Sequence, residues 1–83
     1  MPYIRQPVRD WLAGGGDPTT VGDLNYIITT TLLNFVRAIP ADIDYTTINA
    51  VIGVLECAKM ELYRRVAVPY EERKRAENGD VFP

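Results

Sequence analysis

The residues best suited to chemistry lie close together late in the chain. Lys59, Tyr63, Arg64, Arg65 and Tyr70 fall within a dozen positions of one another. Guanidinium forks grip phosphate or carboxylate through parallel hydrogen bonds. Phenol rings offer flat, rigid surfaces for stacking. Together with Tyr26 nearer the N-terminus, the set suits a bound phosphorylated ligand. A purely structural account stands beside it. Glu61 and Arg65 have i, i+4 spacing, and cations near a helix C-terminus complement its dipole. Lys59 sits one turn from both Leu55 and Leu62. Either it snorkels out of an apolar stripe, or it meets a carboxylate or an anion in a crevice.

Catalysis has little to draw on. The chain has no histidine and a single cysteine, Cys57. The commonest general base and the commonest zinc ligand are therefore missing. No disulfide can form within the chain, and Cys57 on an apolar helix flank is expected to be an inert, packed thiol. Helical pyrophosphohydrolases hold Mg²⁺ with acidic pairs three residues apart, whereas Glu56 and Glu61 are five apart. Gly14-Gly15-Gly16 is followed by Asp17-Pro18 rather than Lys-Ser or Lys-Thr, so a hinge is expected there and not a phosphate loop. No catalytic residue, metal ligand or cofactor is assigned, and the protein is expected not to be an enzyme.

The elements that must position these side chains are helical. Ile4, Val8, Trp11 and Leu12 recur at helical spacing and stop at the three glycines, giving a short first helix. A second helix opens near Asp17 or Thr20, where Thr20 and Asp23 have capping-box spacing, and ends before Pro40. Its core stripe reads Val21, Leu24, Ile28, Leu32, Phe35 and Ile39, with Tyr26, Thr30 and Leu33 opposite. A third helix spans about Tyr45 to Val68 and stops before Pro69, on a stripe of Ile48, Val51, Ile52, Leu55, Ala58, Leu62 and Val66. Pro69 then opens a charged fourth helix, with Glu71–Arg75 and Arg73–Glu77 pairs and a stop at Asn78-Gly79. The expected fold is all-α and single-domain. Residues 1–16 form the N-terminal helix and Gly hinge, 17–68 an antiparallel two-helix hairpin, and 69–83 the charged extension.

Eighty-three residues leave a marginal core, and the hairpin helices are apolar on more than one side. A homo-oligomer resolves this, with Tyr26, Leu33, Asn49, Gly53 and Met60 as the expected interface. A net charge of −2 argues against nucleic acid as partner. No apolar run approaches the roughly 20 residues of a membrane span, and Met1-Pro2-Tyr3-Ile4-Arg5 does not read as a secretory leader. A cytoplasmic protein is expected.

Several segments resemble small proteins encoded by phages and prophages. They are Gly22-Asp23-Leu24-Asn25-Tyr26-Ile27-Ile28-Thr29, Ile52-Gly53-Val54-Leu55-Glu56-Cys57, Glu61-Leu62-Tyr63-Arg64-Arg65, Pro69-Tyr70-Glu71-Glu72 and Asn78-Gly79-Asp80-Val81-Phe82. The resemblance implies a viral or prophage origin, hence the cytoplasm of a bacterial host, and carries no activity with it. In architecture alone, a short helix ahead of a hairpin is similar to phage sponges that sequester cyclic nucleotides as homo-oligomers. The expected partners are thus a second copy, a nucleotide-like small molecule or a host protein.

Overall fold

The computed structural model describes residues 1–82. All its regular elements are helical, and no strand occurs among the described residues. The chain divides into two compact units, Met1–Asp44 and a second that starts at Tyr45. The boundary falls inside the span expected to form a hairpin. No helix among the described residues is long and apolar enough to cross a membrane.

The first unit holds α1 (Gln6–Ala13) and α2 (Val21–Arg37). Pro7 sits in the first turn of α1, where its missing N–H costs nothing. The glycines do more than hinge. Gly15 N–H donates to the Leu12 carbonyl and Gly16 N–H to the Trp11 carbonyl, both at 3.0 Å. With Gly15 at φ 99°, this is a Schellman stop, which needs a left-handed residue at that position. Gly16 is fixed by space instead, since a Cβ there would overlap the Trp11 ring.

The Thr20–Asp23 signal does cap α2. Thr20 Oγ1 accepts the Asp23 N–H at 3.1 Å. The Asp23 carboxylate accepts the Thr19 N–H and hydroxyl, both at 3.2 Å. Asp23 is 5 % exposed and Leu12 4 %, so a capping carboxylate and one leucine are the most protected residues of the unit. The face of α2 that is covered differs from the expected one. Gly22, Asp23, Tyr26, Ile27 and Thr30 are half-buried or buried, whereas Val21, Leu24, Ile28 and Phe35 stay exposed; of the expected stripe only Leu32 and Ile39 are half-buried. The local reason is Gly22. A Cβ there would stand 3.2 Å from the Met1 carbonyl oxygen and 3.3 Å from Ile4 Cγ2. Its absence lets the N-terminal segment cross α2 on the side away from the larger apolar stripe.

In the second unit, α3 (Tyr45–Leu62) and α4 (Val68–Asn78) are joined by a π-helical turn, Tyr63–Ala67. The third helix therefore does not stop before Pro69. Leu62, Ala67 and Val68 all keep right-handed helical dihedrals, and the Val68 N–H donates to the Tyr63 carbonyl five residues back. Proline cannot donate, and in a regular helix its ring strikes the carbonyl four residues earlier. A wider turn just before Pro69 relieves that conflict without breaking the helix. The helix ends at Gly79, φ 83°, whose N–H donates to the Arg75 carbonyl at 2.8 Å, as the Asn78-Gly79 signal implied. The ion pairs of α4 differ from the expected i, i+4 set. They are Glu72–Arg75 at 3.0 Å and Lys74–Glu77 at 3.2 Å, with Arg75 also 3.9 Å from Asp80.

Candidate functional site

Of the sequence-predicted ligand residues, the structure brings Lys59, Tyr63 and Tyr70 together on one face of the second unit. They line an open groove with Leu62, Val66 and Arg73. The floor is apolar and the rim cationic. Tyr70 lies under two cations, Arg73 Cζ at 5.8 Å and Lys74 Nζ at 5.7 Å from its ring centroid. Tyr63 Oη donates to Glu71, with oxygens at 3.2 and 3.3 Å. That hydrogen bond, and then the charge of the same carboxylate, pushes the Tyr63 phenol above its ordinary pKa. Lys59 Nζ is 2.9 Å from Glu56, so the lysine has met a carboxylate of its own helix.

Arg64 and Arg65 are not part of this groove. Both guanidinium groups reach back to Glu61. Arg64 Nη2 lies 2.9 and 2.8 Å from the two carboxylate oxygens, and Arg65 Nε 3.1 Å from one of them. The expected Glu61–Arg65 pair exists, but one carboxylate serves two arginines. Those pairs are exposed and worth little individually.

Tyr26 belongs to a different set. It lines a groove in the first unit between the N-terminal segment and α2, with Tyr3, Arg9, Thr29, Thr30 and Leu33. Sequence reasoning missed Arg9 and Tyr3. The available signal was that Arg9 sits three residues before Leu12, which puts a cation on the buried side of α1. Glu71 was assigned to Arg75 and instead binds Tyr63.

The residues expected at an oligomer interface fall in both units. Tyr26 and Leu33 share the first-unit groove. Asn49, Gly53 and Met60 lie along α3, where a Cβ at Gly53 would meet nothing within 4 Å. Cys57 is exposed in the single chain, contrary to the packed thiol expected there. No group of three or more His, Cys, Asp or Glu side chains able to hold a metal occurs among the described residues.

The family model for a domain of unknown function, DUF6899, matches residues 1–81. The chain belongs to the DUF6899 family. No curated protein and no solved structure matches it. Both grooves of this DUF6899 chain are lined wholly by residues of the matched span.

Proposed function

We propose that the protein is a non-catalytic, homo-oligomeric binding protein whose α3–α4 helix joins its copies and holds a phosphorylated, nucleotide-like ligand. One observation carries the reading. No residue of α3, the π turn or α4 is buried, and the stripe expected to form a core stays open, with Ile52 53 %, Leu62 64 % and Val66 61 % exposed. A helix without tertiary packing is marginal in water, so this one calls for a partner.

The spacing favours a second copy as that partner. Ile48, Ile52, Leu55, Lys59, Leu62 and Val66 repeat at alternating four and three residues, the interval at which helices interlock side chains. The seam runs about 27 Å at 1.5 Å per residue. Lys59 is its only charged position. A parallel, in-register pair would set Lys59 against its own copy, so an antiparallel pair is the better arrangement.

At the C-terminal end of the seam, Lys59 and Arg73 supply charge and Tyr63 and Tyr70 supply rings. Such a set suits a phosphate attached to a flat base. With no histidine in the chain, the ligand would be held and not processed. The resemblance to phage and prophage proteins supplies a setting: sequestration of a nucleotide signal, or engagement of a host protein, that blunts a bacterial defence. Light scattering with a thermal-shift screen over cyclic and linear nucleotides tests the reading. A dimer or larger species is expected, with a ligand that raises the melting temperature by mass action. A monomer that responds to no nucleotide would refute it. The apolar floor of Leu62 and Val66 favours a second reading, a protein–protein adaptor. An oligomer blind to every nucleotide would select it.

A further inference from the structure

The chain has nine lysines and arginines, and eight of them are exposed. Arg9 alone is half-buried. Arg64, Arg65, Arg75, Lys59 and Lys74 each face a carboxylate; Arg5, Arg9, Arg37 and Arg73 have none within ion-pair reach among the described residues, and of these four only Arg9 is half-buried. Its Nε is shut off from solvent and has no hydrogen-bond partner. Two acidic groups of its unit, Asp10 and Asp23, are engaged elsewhere. Asp10 accepts a hydrogen bond from Gln6 Nε2 at 2.6 Å, and Asp23 is held by Thr19.

A desolvated guanidinium N–H without an acceptor is costly, more so than a neutral one. Native structures satisfy the great majority of such groups, and a bound water or ion is one way in which they do so. Arg9 lines the first-unit groove, where Tyr26, Thr29 and Thr30 bring hydroxyl groups and Tyr3, Ile4 and Leu33 bring apolar surface. The Thr29 hydroxyl already donates to Asn25 Oδ1 at 2.9 Å, which leaves its oxygen as an acceptor only. The Thr30 and Tyr26 hydroxyls have no partner among the described residues, so both can donate.

We infer that this groove is a binding site for a small oxyanion, phosphate monoester or carboxylate, carried on an apolar or aromatic body. Arg9 takes the anion through the Nη groups of its half-buried guanidinium, the Tyr26 and Thr30 hydroxyls donate to the remaining oxygens, and Tyr3, Ile4 and Leu33 cover the body. The site lies in α1 and α2 and does not depend on the groove at Tyr63 and Tyr70.

The test is a ¹⁵N–¹H titration of the full chain with phenyl phosphate, inorganic phosphate and benzoate at constant ionic strength, with sodium chloride as control. Saturable shifts are expected at the Arg9 Nε–H and at the Thr29 and Thr30 amides. Phenyl phosphate should bind more tightly than inorganic phosphate, because only the ester uses the apolar wall. Comparing it with benzoate tells which oxyanion the site prefers. Arg9→Gln should weaken binding by about tenfold or more, the scale of a lost charge-assisted hydrogen bond. Thr30→Val and Tyr26→Phe should each weaken it by a smaller factor, and these keep the test valid if Arg9→Gln does not fold. Equal shifts with chloride, shifts confined to Tyr63–Arg73, or unchanged affinity in the variants that fold would overturn the inference. Shifts confined to Tyr63–Arg73 would leave the proposed ligand face of the long helix standing.

Discussion

The Tyr63 hydroxyl donates to Glu71 across eight residues of one helix, at 3.2 Å. Two regular α-turns cover about 7.2 residues, so side chains seven apart stack while those eight apart diverge. The π turn at Tyr63–Ala67 takes up the extra residue. The bond and the turn therefore depend on each other, and both trace to Pro69.

Replacing Pro69 with Ala restores the missing donor and removes the ring clash. The expected result is a regular helix through residues 63–67, with the Val68 N–H moving from Tyr63 to Arg64. Thermal stability of the helix should rise, bounded by the roughly 3 kcal/mol that separates proline from alanine in a helix interior. Hydrogen exchange at Val68 and circular dichroism at 222 nm report this. An unchanged exchange pattern would mean that the turn has another cause.

The Tyr63 phenol should ionise above the ordinary range of a tyrosine. Its folded pKa lies above the unfolded value of about 10. What the hydrogen bond adds to stability is thus fully present below about pH 10 and is lost as pH rises through the folded value. In an absorbance titration at 295 nm, Glu71→Gln should bring the raised Tyr63 ionisation down, and Tyr63→Phe should remove it.

Asp23 has the opposite sign. The Thr19 backbone N–H, followed by the Thr20 side chain, holds its carboxyl below the ordinary value. Its contribution is present above the unfolded pKa of about 3.9 and is lost as pH falls through the folded value. Melting temperatures between pH 7 and pH 2 should fall in that acid range, and Asp23→Asn should flatten the fall while lowering stability at neutral pH. A wild-type-like acid profile in Asp23→Asn would remove the cap from the explanation.

For self-association, the open seam of α3 gives the sharpest test. Leu55→Glu places a charge amid Ile48, Ile52 and Leu62 and is expected to shift the protein toward monomer by at least tenfold in dissociation constant, since burying an unpaired charge is costly. Met60→Glu separates this seam from the Asn49–Gly53–Met60 face. If only the second substitution dissociates the protein, the copies meet on that face instead. Sedimentation velocity reads both.

Local signals were legible where one or two residues decide the outcome. Thr20 and Asp23 announced a cap, Asn78-Gly79 announced a stop, and both occur as read. Pro69 was read as a terminator because proline usually is one. A helix can instead absorb it by widening a single turn, and no local propensity separates the two responses. The side of α2 that is covered was beyond pattern alone. Hydrophobicity pointed to Val21, Leu24, Ile28, Leu32, Phe35 and Ile39, of which only Leu32 and Ile39 are half-buried, and at the start of α2 backbone access at Gly22 chose a different side. Among the site residues, Lys59, Tyr63 and Tyr70 sit at helical spacing and their common groove could be anticipated. Arg64 and Arg65 looked equally available, yet Glu61 lies within one turn of both and claims them.

The chain carries one tryptophan, and it is the residue whose ring lies against Gly16. Its emission is thus an optical reporter placed in the first unit. Far-ultraviolet dichroism, in contrast, draws most of its signal from the longer run of helix that begins at Tyr45. The molecule therefore comes with two spectroscopic channels, one placed in the first unit and one weighted toward the second. Coincident curves in the two channels would mark a single cooperative transition, and separated curves would mark two units that melt on their own terms.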